Sequence, residues 1–300
     1  MRVLYLFYAF VFFLFSCIKE VNSDFNFEDK MVVYCYVSPQ DSISKLLLIQ
    51  NQPITASTGK NSENYPYIKN AKVEISDGTK STMFLLYEDN LKSFYYVDSI
   101  SFKFQEGKKY DLNILSDGKE INSSMTIPNG AEILKIAYDT SAMSKLELKN
   151  GLSTVNRDVN LSIEINGKDY YCFVSAVVFG SCFIQTASGS INKKIEKHIY
   201  FNTDPTLPMK LDGKNNFNVT DKLSLSTNHS IVSYTLEFDS IQYYTVTIEE
   251  NYYEYLKSKK LQSSSQNDPF AEPSLLYSNV YNGLGIFTGI ASRKSIATFK

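Results

Sequence analysis

An all-β fold is predicted by three features of this sequence: an aromatic-rich composition, short runs in which apolar and polar residues alternate, and Asx-Gly pairs between those runs. The 300 residues include 22 Tyr and 20 Phe but no Trp. Aromatic side chains favour strands, and tyrosine suits a half-buried sheet because its ring packs while its hydroxyl stays wet. Ser76-Asp77-Gly78, Ser116-Asp117-Gly118, Asn166-Gly167 and Asp212-Gly213 tolerate the positive φ of tight hairpin turns, so each is expected to reverse the chain.

The first strands are expected at Met31 to Val37 and Lys45 to Gln50, followed by a polar loop through Asn61. Val73 and Ile75, then Met83 to Tyr87, flank Asp77-Gly78; Leu112 to Leu115, then Ile121 to Ile127, flank Asp117-Gly118. That density of short strands predicts an immunoglobulin- or fibronectin-like β-sandwich over residues 28–128, with Pro128-Asn129-Gly130 as its boundary. Residues 131–300 are expected to form a larger β-rich domain. Its strands are read at Ile133 to Tyr138, Val159 to Ile165, Tyr170 to Phe179, Ser230 to Phe238 and Gln242 to Ile248. The second and third are expected to form a hairpin about Asn166-Gly167. One short helix, Glu249 to Leu261, carries Tyr252, Tyr255 and Leu256 about a turn apart.

The amino terminus is of another kind. Arg2 precedes 13 uninterrupted apolar or aromatic residues, Val3 to Phe15, and then Ser16 and Cys17. A membrane-spanning helix needs roughly 20 apolar residues, so this run is too short to span and has the layout of a signal peptide over residues 1–16. Leu14-Phe15-Ser16-Cys17 resembles the bacterial lipobox, which implies cleavage before Cys17, a lipid on its sulfur, and a tether over residues 17–27. The chain is then expected to be tethered to a membrane and not embedded in it, and Lys19 and Glu20, just after the lipidated cysteine, are read as favouring surface display.

With 30 basic and 32 acidic residues, the composition argues against nucleic acid as a partner, and Lys193, Lys194 and Lys197 are expected in a solvated loop. Apart from Cys17, the cysteines are Cys35, Cys172 and Cys182. They read as small buried hydrophobes, with a Cys172 to Cys182 disulfide as the alternative. His198 and His229 have no clustered partners, so neither a metal nor any other cofactor is expected. No nucleophile elbow, βαβ phosphate loop or opposed carboxylate pair is legible, and the chain is expected not to be an enzyme. Tyr65-Pro66-Tyr67, Phe94-Tyr95-Tyr96 and Tyr252-Tyr253 are read as finishing sheet surfaces and a domain seam, with ligand stacking as the alternative.

Asp-Ser-Ile occurs at Asp41 to Ile43, Asp98 to Ile100 and Asp239 to Ile241, and it resembles the O-glycosylation acceptor of Bacteroidota. Ser42, Ser99 and Ser240 are the candidate acceptors.

The segments Lys30 to Val37, Ile68 to Gly78, Glu106-Gly107-Lys108-Lys109-Tyr110-Asp111-Leu112 and Ile127-Pro128 recur in order before a C-terminal signature. That signature is Asn267-Asp268-Pro269-Phe270-Ala271-Glu272-Pro273, Tyr277-Ser278-Asn279-Val280 and Asn282 to Phe287. Together they resemble the Bacteroidota outer-membrane lipoproteins of domain-of-unknown-function family 4249. The resemblance implies no catalytic residues. It implies association with a TonB-dependent outer-membrane transporter, hence an accessory role in uptake; the alternative is a surface ligand-binding or adhesion module acting alone.

Overall fold

The computed structural model describes residues 28–51, 66–90, 92–140, 142–149, 151–265 and 275–298. Cys17, the signal peptide, the tether, Tyr65 and the Asn267 to Pro273 part of the C-terminal signature lie outside them. Among the described residues the fold is all-β with one short helix: an 11-stranded sheet and a 5-stranded sheet.

The first sandwich follows from alternation. Strands β1 (Met31–Val37), β2 (Ile43–Gln50), β3 (Lys72–Ser76), β4 (Ser81–Met83), β5 (Leu85–Glu88), β6 (Ser93–Asp98), β7 (Lys109–Ser116) and β8 (Lys119–Thr126) supply most of it. In β3 and β7 the buried residues Val73, Ile75, Tyr110, Leu112 and Ile114 alternate with exposed or half-buried ones, so one face meets the opposing sheet. Each fully buried aliphatic side chain contributes about 1.5–3 kcal/mol. Asp77-Gly78 and Asp117-Gly118 turn where expected. Both Asp117 and Gly118 have positive φ, 49° and 75°, as a two-residue type I′ turn between Ser116 and Lys119 demands. Buried Tyr110 accepts a hydrogen bond from the Gln105 N–H at 2.8 Å, the corner by which immunoglobulin-like sandwiches tie down the loop before a strand.

In the second unit β9 (Glu132–Asp139) and β10 (Lys145–Lys149) lead into β11 (Leu152–Thr186), a strand of 35 residues. Here the expected hairpin is corrected. Asn166-Gly167 does not reverse the chain, and neither does Asp212-Gly213; Gly167 pairs with Gly213 across β11 and β13 (Met209–Thr227). Gly213 has a positive φ of 75° within the paired strand, and the register shifts just beyond, between Lys168 and Tyr171, where Asp169 has φ 62°. The reversal comes 20 residues later, where Thr186 pairs with Gly189 at the head of β12 (Gly189–Tyr200). Lys193, Lys194 and Lys197 therefore lie on β12 and not in a loop, because β12 pairs with β11 along its whole length. His198 is exposed on the same strand.

The two halves of β11 pack against each other. One core takes Val159, Leu161 and Ile163 from the first half and Val174, Ala176 and Val178 from the second. Arg157 donates to the Leu236 carbonyl at 3.0 Å, on β14 (Ile231–Ile248), which pairs with the second half. The segments read as separate strands at Ser230 to Phe238 and Gln242 to Ile248 are thus one strand. Helix α1 (Glu250–Ser265) follows it closely, as predicted.

The chain then returns to its beginning. β15 (Val280–Tyr281) extends the 5-stranded sheet beside β8, and β16 (Leu284–Thr298) runs parallel to β1 from Leu284 to Gly289. From Ile290 onward β16 instead pairs antiparallel with β14. Residues 280–289, placed by sequence in the second domain, pack into the first core through Val280 and Phe287. One strand thereby belongs to both sandwiches. Gly285 permits this close approach, since a Cβ there would sit 1.9 Å from the Val33 carbonyl oxygen and its φ is +106°.

Candidate functional site: a polar groove across the five-stranded sheet

The face of β4, β3, β7, β8 and β15 opposite the core carries a groove of about 790 Å³. Strand register builds it. Glu74 pairs with Met83 on one side and Asn113 on the other, Asn113 pairs with Asn122, and Asn122 with Tyr281, so one row crosses all five strands. Beside it Ser81, Ser76, Asp111 and Ser124 form a parallel row by the same pairing. Ser76 and Ser81 line its β3 and β4 side, and the longer Asp111, Asn113 and Asn122 cross its centre.

The amides are half-organised. Asn113 Nδ2 donates to Asn122 Oδ1 at 2.9 Å and to Glu120 Oε1 at 2.5 Å. Asn113 Oδ1 and Asn122 Nδ2 have no hydrogen-bond partner among the described residues. Tyr281, 71% exposed, closes one end without a ring partner among them. These side chains can donate and accept hydrogen bonds and offer one aromatic face; no pairing of nucleophile and base is present in the groove.

The C-terminal signature fixes that end. Asn279 Nδ2 donates to the Phe287 carbonyl at 2.7 Å, while its Oδ1 accepts from the Phe287 N–H at 3.0 Å. The side-chain amide thus satisfies both backbone groups of a residue on β16, as a neighbouring strand would. Buried Ser123 donates to the Asn279 carbonyl at 2.8 Å. Asn279 therefore bolts β15 to both sheets and sets where Tyr281 stands.

A second polar cluster lies at the seam between the sandwiches. Glu249 Oε2 accepts from the Thr126 N–H at 3.1 Å, whereas buried Oε1 has no hydrogen-bond partner. Burial drives its carboxyl up to about 7; the Thr126 N–H, Thr288 hydroxyl and Gly289 N–H offset only part of that. Nearby, Tyr252 meets Tyr36 edge-on at 5.4 Å and Tyr253 stacks on Tyr171 at 4.0 Å. Tyr252-Tyr253 accordingly fastens α1 to β1 and β11. Tyr95 is likewise structural, being buried with its hydroxyl accepting from the Ala71 N–H at 3.0 Å. Tyr67, from the Tyr65-Pro66-Tyr67 platform, lines a smaller pocket beside Gln50 and Lys119; Tyr281, at the end of the groove, was not among the platforms read from sequence, and cross-strand register reveals it.

Of the candidate glycosylation sites, two come together. The Ser99 N–H donates to the Ser42 carbonyl at 3.0 Å, and Ile43 and Ile100 beside them are exposed. Ser240 lies apart in β14, with Ile241 fully buried in the second core. Cys35, Cys172 and Cys182 are free thiols buried in the two cores, so the alternative disulfide is not formed. Cys172 and Cys182 stand ten positions apart on one strand, and burial raises both thiols, Cys172 to about 12. Among the described residues no cluster of His, Cys, Asp or Glu is arranged to hold a metal ion, and no helix is long and apolar enough to cross a membrane.

No curated protein matches the sequence. Among solved structures, the C-terminal globular domain of oligosaccharyltransferase from Pyrococcus abyssi is similar at 10% identity, over 91% of this chain and 50% of that chain, with a TM-score of 0.16. The chain thus spans about half the length of that protein, at a score too low to establish a shared fold. The family described as Domain of unknown function (DUF4249) matches residues 18–296. With nearly the whole sequence so matched, the chain belongs to that family.

Proposed function

We propose that this protein is a non-enzymatic outer-membrane lipoprotein, anchored through Cys17 and displayed at the cell surface, that assists a TonB-dependent transporter in nutrient uptake. The anchor rests on the lipobox-like Leu14 to Cys17, and the transporter on what the family resemblance implies. The observation that carries the partner is β5. It is the outer strand of the large sheet, all four of its residues are exposed, and three of them are Leu85, Leu86 and Tyr87. An apolar edge that no described strand pairs with is a surface that proteins ordinarily cover.

Extraction of the native lipoprotein in mild detergent, followed by affinity capture and mass spectrometry, tests this reading. A TonB-dependent transporter should be enriched, and Leu86→Asp should lose it. Capture of the lipoprotein with no such transporter would overturn it. A second reading, a surface ligand-binding module acting without a transporter, is favoured by the groove on the 5-stranded sheet.

A further inference from the structure

We infer that the groove across β4, β3, β7, β8 and β15 binds a neutral oligosaccharide. The inference is independent of the transporter reading, because it rests only on the chemistry of this face.

Three observations select the ligand class. The row from Met83 to Tyr281 crosses five strands, and at about 4.8 Å per strand it extends about 19 Å, which suits several linked rings and not one small molecule. Its functional groups are side-chain amides, hydroxyls and carboxylates, which pair with sugar hydroxyls acting as both donors and acceptors. Asn113 Oδ1 and Asn122 Nδ2 already present one acceptor and one donor side by side. Finally Tyr281, largely exposed at the end of the row, offers a ring face to the apolar C–H surface of a pyranose.

Charge excludes the competing classes. Glu74 and Asp111 line the groove and no Lys, Arg or His is among its lining residues; Lys109 beside it pairs with Asp111 at 3.3 Å, which leaves Glu74 to disfavour phosphates, nucleic acids and uronic acids. A peptide added as a strand needs a free sheet edge, whereas this row runs across the strands on a face whose backbone groups are already paired.

Titration calorimetry of the detergent-extracted full chain tests the inference with maltohexaose, cellohexaose, xylohexaose and mannohexaose, and with hexagalacturonate as the anionic counterpart. At least one neutral hexasaccharide should bind saturably. Its affinity should fall tenfold or more in Tyr281→Ala and in Asn122→Ala, and stay unchanged in Tyr200→Ala, which removes an exposed tyrosine of the second unit. The thermal midpoint of Tyr281→Ala should match the parent, since that ring packs on nothing in the core. No saturable binding by any of the four, equal loss in Tyr200→Ala, or tighter binding of hexagalacturonate would each overturn it. Transporter capture is a separate readout, so failure of one proposal leaves the other standing.

Discussion

The Arg293 guanidinium grips both carboxylate oxygens of Glu106, at 2.7 and 2.6 Å, across the seam between the two sandwiches. Arg293 comes from the shared strand β16, and Glu106 opens the segment that leads into β7. The Gly130 N–H adds a third bond to Glu106 at 2.9 Å, and a Cβ on Gly130 would lie 2.6 Å from the Arg293 guanidinium carbon. A side chain at this boundary position would push the guanidinium out of the fork.

Breaking this pair leaves a half-buried charge unmatched. Arg293→Met should lower stability by about 2 kcal/mol, and Arg293→Lys by less, because an ammonium keeps the charge opposite Glu106 although it cannot hold both oxygens in the same fork. Urea unfolding at pH 7 measures both. The guanidinium bond holds Glu106 down at about 2, below its usual 4.5. Its contribution is therefore complete above pH 4.5 and is lost as the pH falls toward 2.

Glu249 acts in the opposite sense and in a different window. Its carboxyl is raised from 4.5 to about 7, so the folded state holds the proton more tightly than the unfolded chain. Its contribution to stability is fully present below pH 4.5 and is lost as the pH rises through 7. Glu249→Gln keeps an acceptor for the Thr126 N–H and has no charge to bury. It should gain about 2–3 kcal/mol over the parent at pH 8.5 and almost nothing at pH 4. Urea midpoints at the two pH values check the sign.

Two glycines with positive φ should respond unequally to alanine. At Gly285 the new Cβ would overlap the Val33 carbonyl, and a loss above about 3 kcal/mol is expected because β16 can no longer lie against β1. At Gly78, φ is +82° but the space is open, so the cost should be about 1 kcal/mol from backbone strain alone. Thermal midpoints of the two variants separate crowding from conformational strain.

The three core thiols should be silent in the folded protein. Cys35, Cys172 and Cys182 are buried, and burial disfavours the reactive thiolate at each. A soluble form starting after Cys17 should show no rapid reaction with a thiol-specific dye. Three equivalents should react once guanidinium unfolds it; fewer would mean that a disulfide forms.

What the sequence determined by itself is what neighbours in the chain decide. Alternation in Lys72–Ser76 and Lys109–Ser116 set which side chains face the core, because a strand turns over every second residue. Asp117-Gly118 made a tight turn, and the segment after Ile248 made the helix. The same local rule misled at Asn166-Gly167 and Asp212-Gly213, which pair with each other inside long strands; Gly213 takes a positive φ there and Gly167 does not. Only the tertiary structure decided that, since a local preference for a turn yields to pairing along neighbouring strands.

Long-range pairing decided the rest. Nothing near Leu284 announces that it will lie beside Val32, and that parallel contact is what moves residues 280–289 into the first sandwich. The groove is of the same origin. Asn113 and Asn122 face each other across the local Asp117-Gly118 hairpin, but Glu74 and Tyr281 come from distant segments and join their row only through cross-strand register, a relation set by packing and hydrogen bonding between strands and written in no single one of them.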